Sequence, residues 1–164
     1  MAKLTSFASI RRSLETGELI CITPDNSKDF TPFNSERYRM EKKKIESFED
    51  LRVWQQGIEL VKQIYLITRE GEISRDFGLK DQLRRAAVSV PTNVAEGFER
   101  YSRKEYVRFL NIAKGSAGEV RSLLRVALEI GYIDKNTYFP LHERAKELSR
   151  MLSSQIQAIN RSLK

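Results

Sequence analysis

A stretch in the middle of the chain carries polar side chains at the spacing of one helix face. At about 100° per residue, five of them fall within an arc of roughly 80°: Arg85, Ser89, Asn93, Glu96 and Arg100. Such a stripe can have a structural role, in which its side chains pair with backbone groups and line a seam between helices of the bundle. Alternatively, it can present a binding surface in which Glu96 pairs with an arginine and orders it. Both interpretations stay open. If the stripe is a partner interface, two residues of the next helix extend it, Ser116 and Glu119.

A proline lies inside this stretch. Pro91 cannot donate to the carbonyl of Ala87, and its ring pushes against the preceding turn, so the sequence predicts a kinked helix with unpaired backbone groups. We expect neighbouring hydroxyl and amide side chains to answer those groups, namely Ser89, Thr92 and Asn93.

Basic side chains cluster where the second predicted helix meets the third. They are Arg84, Arg100, Arg103, Lys104 and Arg108. Lysine and arginine at this density are suited to phosphate contacts, and the lack of a base-reading motif predicts little sequence preference. The alternative is a solvated basic face that keeps the protein soluble.

Catalysis has little support in the sequence. His142 and Cys21 are the single histidine and cysteine, and no glycine-rich phosphate loop follows a strand. Glu96 and Glu119 are explained as carboxylates that pair with arginine rather than with each other. We therefore predict that the protein is not an enzyme and has no cofactor and no metal site.

Helical periodicity runs through most of the chain. Ser47 is a natural N-cap for a first helix, Ser102 begins a capping box for the third, Asp134 caps the fourth, and Gly131 has the position of a C′ glycine. The second helix runs from about Phe77 to Gly97. Four helices with short connections predict an all-α fold, an antiparallel up-down four-helix bundle with a kinked second helix.

Two apolar patterns bear on packing. The first helix repeats apolar residues at three- and four-residue steps, which predicts one core face: Leu51, Trp54, Ile58, Val61 and Tyr65. The second helix has a further apolar edge at Val88 and Ala95 outside its core face. That edge predicts burial on more than one side, and hence a homo-oligomer.

Residues 1–42 differ from the rest of the chain. They contain two prolines and many turn-forming residues, and the stretch SIRRSLETGELICI can form a short helical turn followed by a strand-like run. We expect a poorly structured N-terminal tail, flexible or loosely packed, followed by a bundle over residues 43–164.

The charge of the chain favours an anionic partner. Its formal net charge is +7, and residues 1–39 hold six basic and five acidic side chains, so the excess lies in the helical region. No segment approaches the roughly 20 apolar residues of a membrane span, and a single cysteine suits a reducing compartment. We expect a cytoplasmic protein that does not engage a membrane.

Four ordered motifs carry a family resemblance: FEDLRVWQQ, GLKDQLRRAAVSVPTNVAEGFER, FLNIAKGSAGEV and ALEIGYI. Together they resemble, over residues 43–164, the four-helix-bundle family encoded in 23S rRNA intervening sequences. The resemblance implies a ring-like homo-oligomer, a pentamer, with no established enzymatic activity. It extends more distantly to accessory proteins of diversity-generating retroelements, whose basic bundles bind nucleic acid and a reverse transcriptase. This chain departs from the family at Arg121 and Ser122, where an acidic residue and threonine are common.

These observations predict a non-enzymatic basic homo-oligomer that binds RNA or DNA through phosphate contacts. The alternative is an oligomeric scaffold or accessory subunit that binds a protein partner such as a reverse transcriptase. Binding to phosphates weakens steeply with salt, whereas an apolar protein interface does not, so salt dependence separates the two.

Overall fold

The computed structural model describes Ser9–Arg12, Leu19–Ile22 and residues 45–163. The last range forms the predicted antiparallel bundle, in which α2 packs on α1 and α3, and α4 packs on α3 and α1. Short 3-10 turns at Phe48–Asp50 and Glu72–Ser74 precede the first two helices. The four helices are α1 (Arg52–Ile67), α2 (Phe77–Glu99), α3 (Arg103–Glu129) and α4 (Lys135–Arg161). None of the helices in these ranges combines the length and the apolar character that a membrane span needs.

Two of the four helix N-termini are capped by the side chains that the sequence predicts. Ser47, expected to cap α1, instead precedes the 3-10 turn at Phe48–Asp50, and α1 begins after Leu51 without a side-chain cap. The Ser102 hydroxyl accepts a hydrogen bond from the Glu105 N–H, and Asp134 accepts one from the Thr137 N–H. Gly131 has a φ of 79° after α3, a conformation that glycine adopts without strain. Asp76, which the sequence analysis did not single out, caps α2 by accepting from the Leu79 N–H at 2.9 Å.

The core lies between the four helices, and the predicted face of α1 is partly wrong. Ile58 and Tyr65 are each 42% exposed, although both were expected in the core. The apolar arc of α1 is wider than one contact face, and the bundle buries its other side. The buried residues of α1 are Val53, Gly57, Leu60 and Ile64.

Helix α2 continues through Pro91, which is buried. Gly57 of α1 makes room for it, because a Cβ built on Gly57 would lie 3.2 Å from the Pro91 Cβ. Thr92 Oγ1 donates to the Val88 carbonyl, and Asn93 Nδ2 donates to the Ser89 carbonyl, each at 2.7 Å. Both bonds go to carbonyls of the same helix, but neither goes to the Ala87 carbonyl, which lacks its backbone donor because of Pro91.

The chain divides into two compact units, Met1–Lys44 and Ile45–Lys164. In the first, β1 (Ser9–Arg12) pairs antiparallel with β2 (Leu19–Ile22), so that Ser9 lies opposite Ile22. The strand-like run is confirmed at LICI, and SIRR is its antiparallel partner. The short helical turn expected in the same stretch was not assigned to particular residues, and residues 13–18 between the strands lie outside the described residues. The prediction of a flexible tail over the rest of residues 1–42 lies outside the described residues.

Candidate nucleic-acid interface

Three residues of the predicted polar stripe form a seam between α2 and α3. The hydroxyls of Ser89 and Ser116 lie 2.8 Å apart, and Asn93 Nδ2 donates to Ser89 Oγ at 2.9 Å. Ser116 is buried and also donates to the Ile112 carbonyl at 3.1 Å. The Ser89–Ser116 bond joins α2 to α3, while the other two bonds lie within one helix each and hold these side chains in place. This part of the stripe therefore has a structural role.

The remaining members of the stripe are exposed. Arg85 pairs with Asp81 at 3.1 Å, and Glu96 pairs with Arg100 at 2.6 Å, each between consecutive turns of α2. Glu119 is exposed on α3 and has no ion pair with any residue in the described part of the chain. Glu96 therefore pairs with an arginine as expected, but the stripe does not form one continuous site.

Arg84, a predicted phosphate ligand, instead closes the end of α1. Its Nε donates to Thr68 Oγ1 at 2.8 Å, and one of its terminal nitrogens donates to the Thr68 carbonyl at 3.2 Å. The guanidinium also lies over the Tyr65 ring, 4.6 Å from its centroid. A cation at the carboxyl end of a helix is favourable for both the free carbonyls and the helix dipole.

The other predicted cations at the junction of α2 and α3 have separate partners. Arg100, besides pairing with Glu96, lies over the Phe109 ring at 5.4 Å, and Arg108 pairs with Glu105 at 3.5 Å. Arg103 donates to Ser162 at the end of α4, and Lys104 is exposed. The structure thus brings these side chains to one end of the bundle but does not converge them on one point.

A second set of cations follows the flank of α3 that faces α4. At about 100° per residue, four side chains fall within an arc of roughly 40°: Arg103, Lys114, Arg121 and Arg125. We call these residues the α3 basic flank. Over the 22 residue steps from first to last it spans about 33 Å, at ~1.5 Å per residue.

Both ends of the α3 basic flank are anchored. Arg103 contacts Ser162, and Arg125 contacts Tyr138 and Glu129. The hydrogen bond with Tyr138, followed by the charge of Glu129, raises the pKa of Arg125. In the described residues, no carboxylate pairs with the two central members, Lys114 and Arg121. The centre of the flank therefore keeps its positive charge free for an anionic partner.

A groove of about 350 Å³ lies beside the centre of the flank, between α3 and α4. Lys146 and Arg150 of α4 pair with Glu143 and Glu147, each at 3.2 Å. Those ion pairs are exposed, so they contribute little and are easily exchanged for a stronger anionic partner. The groove is lined by Lys114, Arg121, Lys146, Ser149, Arg150, Ser153 and Ser154, and we call it the α3–α4 groove.

Two polar atoms of groove residues are buried without a hydrogen-bond partner. They are Arg121 Nε and Ser149 Oγ, the two such side-chain atoms among the described residues. Leaving a buried donor unpaired costs about 1–3 kcal/mol, and more for a charged group. The groove thus combines excess positive charge with donors that have no acceptor.

Helical spacing alone places Arg121 and Arg125 away from the apolar face of α3, where a phosphate backbone or a neighbouring subunit could approach, but it does not identify the other residues of the groove. A signal for it exists, because Lys114 and Arg121 are seven residues apart on α3. On α4, Lys146 and Arg150 are four residues apart, as are Ser149 and Ser153. Which faces of the two helices meet is set by the packing of the bundle, and the spacing alone does not give it.

His142 contacts one aromatic ring and one carboxylate. Its ring stacks on Tyr138 with centroids 5.2 Å apart, and its Nδ1 lies 3.3 Å from Glu143. Within residues 45–163 and the two strands, no group of three or more histidine, cysteine or carboxylate side chains could hold a metal ion.

Comparison with known proteins identifies related sequences and folds. A family model described as 23S rRNA-intervening sequence protein matches residues 49–154. A solved structure with a TM-score of 0.60 and 24% sequence identity covers 64% of this chain and 95% of its own. It is a protein with unknown function from the S23 ribosomal protein family of Bacteroides thetaiotaomicron VPI-5482, and at this identity it shows a shared fold. No curated protein matches the chain.

Proposed function

We propose that this chain, which belongs to the 23S rRNA-intervening sequence protein family, binds the phosphate backbone of RNA or DNA without catalysing a reaction. The observation that carries this proposal is the α3 basic flank with the α3–α4 groove beside it. The flank supplies positive charge along about 33 Å of one helix. A nucleic-acid strand that follows it meets several successive cations, and each neutralised phosphate releases bound counterions.

The centre of the flank supports the proposal more strongly than the α2–α3 junction does. Arg84 is occupied by Thr68, and the other junction cations do not converge on one point, although the exposed ion pairs of Arg100 and Arg108 are of the same kind as those of Lys146 and Arg150. Lys114 and Arg121 instead lie free of carboxylates beside two further cations, Lys146 and Arg150. Since phosphate contacts need no base-specific groups, this arrangement favours affinity with little sequence preference.

The proposal includes a homo-oligomer, with a pentameric ring as the state that the family resemblance implies. Val88, on the predicted second apolar edge of α2, is 38% exposed in the single chain. A ring would repeat the α3 basic flank in every subunit, so weak phosphate contacts would add through multivalency. Light scattering across micromolar concentrations tests this part, and a monodisperse monomer would reject it.

The second candidate function is a scaffold that binds a protein partner such as a reverse transcriptase. Phe77, 75% exposed, favours it, because this ring lies on the same side of α2 as Val88 at helical spacing. An apolar interface at these residues would persist at salt concentrations that release nucleic acid.

The test is RNA binding by the full chain across a salt series. A flank variant, Lys114→Gln with Arg121→Gln, should bind single-stranded RNA at least about tenfold more weakly at low salt. Its log–log salt slope should be shallower by about 1.4, since each phosphate contact with a single strand contributes about 0.7. A junction variant with Arg100, Lys104 and Arg108 changed to glutamine should change affinity less.

The control for lost charge is a variant away from the flank. Arg52→Gln with Arg75→Gln removes the same number of charges from exposed positions on the α1 side of the bundle, and we expect a less than threefold change in RNA affinity. No RNA binding at low salt, or equal binding by the flank variant and the wild type, would reject the proposed function.

A further inference from the structure

We infer that the α3–α4 groove binds one phosphate group, which accepts hydrogen bonds from Arg121 and Ser149. We call this binding position the phosphate seat. The choice of phosphate as the ligand rests on the proposed function, because this phosphate corresponds to the contact that a nucleic-acid backbone would make at the centre of the flank. The inference also makes a separate claim, since a phosphate seat can be occupied by inorganic phosphate alone.

The Ser149 hydroxyl is available to donate a hydrogen bond to a ligand in the groove. Ser153 Oγ donates to the Ser149 carbonyl at 2.9 Å, as serine often does within a helix. The Ser149 hydroxyl makes no such bond, although it lies on the same helix one turn earlier, and it is buried without a partner. A rotation about its Cα–Cβ bond can direct this hydroxyl to a ligand in the groove without moving the helix.

The guanidinium of Arg121 has the geometry that binds a phosphate. A guanidinium presents its Nε–H and terminal N–H groups in a planar fork that matches two oxygens of a phosphate. Arg121 Nε is buried and unpaired, and no carboxylate among the described residues occupies the fork. An oxyanion therefore satisfies this side chain in a way that a single water molecule does not.

The charge around these two donors is positive. Lys114 and Arg121 come from α3, and Lys146 and Arg150 come from α4, so the groove gathers four cations within about 350 Å³. The partners of Lys146 and Arg150 are exposed carboxylates of their own helix. This excess of positive charge selects an anion over a neutral polar ligand.

Two sources could supply the phosphate, a nucleic-acid backbone and a free phosphate. Titration calorimetry of the full chain with inorganic phosphate measures the seat directly, with sodium chloride at equal ionic strength as the control for screening. Competition between inorganic phosphate and a single-stranded RNA oligonucleotide then distinguishes the sources. If the backbone occupies the seat, phosphate should displace RNA beyond the effect of ionic strength.

The decisive variants are Ser149→Ala and Arg121→Gln. We expect Ser149→Ala to weaken phosphate binding about three- to tenfold and Arg121→Gln to weaken it at least about tenfold, the usual scale for one neutral and one charged donor. The matched controls are Ser122→Ala, an exposed serine on α3, and Arg52→Gln, and both should leave phosphate affinity unchanged. Arg121→Lys keeps the charge but lacks the fork, and it should restore affinity only in part.

The seat and the proposed function fail in different ways. No saturable phosphate binding, or equal binding by the wild type and the two decisive variants, would overturn the seat even if RNA still binds along the flank. Phosphate binding that depends on Ser149 and Arg121, in a protein that binds no RNA at low salt, would support the seat and reject the proposed function. Circular dichroism of each variant confirms that a loss of binding is not a loss of fold.

Discussion

Gly97 of α2 lies directly against Phe109 of α3, since a Cβ built on Gly97 would come within 2.7 Å of the Phe109 Cβ. It would also lie 2.9 Å from a ring carbon of Tyr106. Real Cβ atoms do not approach so closely, so the two helices meet here only because residue 97 has no side chain. We predict that Gly97→Ala lowers the free energy of unfolding by about 1–3 kcal/mol.

Gly115 is the matched control, because a Cβ built there meets nothing within 4 Å. Alanine has a higher helix propensity than glycine, so Gly115→Ala should raise stability by up to about 1 kcal/mol. Urea unfolding of both variants measures the pair. Equal effects of the two substitutions would show that the close approach of α2 and α3 at Gly97 is wrong.

The seam between α2 and α3 should affect stability and not binding. Asn93→Ala removes the bonds to the Ser89 carbonyl and hydroxyl, and it should lower the free energy of unfolding by about 1–2 kcal/mol. RNA affinity of the folded variant should stay within about twofold of the wild type, a ratio that corresponds to less than ~0.5 kcal/mol. A large loss of RNA binding in a stable variant would restore the functional interpretation of the polar stripe.

Arg84 should act on stability through the end of α1. Arg84→Gln removes the bonds to Thr68 and the contact with Tyr65, and we expect a loss of about 1–2 kcal/mol in the free energy of unfolding. Lys104→Gln, at an exposed position among the predicted phosphate ligands, should change stability by less than about 0.5 kcal/mol. Thermal melts of the two variants at equal salt test this; the same melting temperature for both would refute the capping role.

Tyr106 should make the bundle sensitive to alkaline pH. Burial raises the pKa of Tyr106 to about 12 from its ordinary value of 10.0, an effect that the hydrogen bond from Gln155 partly opposes. Because the folded pKa is the higher one, the stabilising contribution is complete below pH 10 and is lost between pH 10 and about 12.

The comparison variant for this effect is Tyr106→Phe, which cannot ionise. Between about pH 9 and pH 11.5, the wild type should lose roughly 1 kcal/mol more stability than the variant, after allowance for partial solvent exposure. Chemical unfolding at both pH values measures the difference. Parallel losses in the two proteins would contradict a raised pKa at this tyrosine.

The sequence predicted the helices better than the faces on which they pack. Capping residues such as Ser102 and Asp134 act within one turn, so their roles follow from neighbouring residues. Ile58 was placed in the core because its spacing is helical, but the apolar arc of α1 is wide and only the other helices decide which part of it is covered.

The residues of the candidate site likewise could not be brought together from the sequence alone. Lys114 and Ser149 are 35 residues apart in the chain and line one groove from two different helices, which no local pattern specifies. Arg84 has the charge of a phosphate ligand in the sequence, yet the fold directs it to Thr68. Long cationic side chains contact whatever acceptor the packing brings near, so their partners depend on tertiary structure.

Photo-crosslinking of the full chain to single-stranded RNA, followed by mass spectrometry of the crosslinked peptides, locates the RNA on the protein. We expect crosslinks in the α3 segment 114–125 and the α4 segment 146–154, lost at high salt and reduced in the Lys114→Gln, Arg121→Gln variant. Crosslinks confined to α1 and the exposed side of α2, unchanged in that variant, would contradict this expectation.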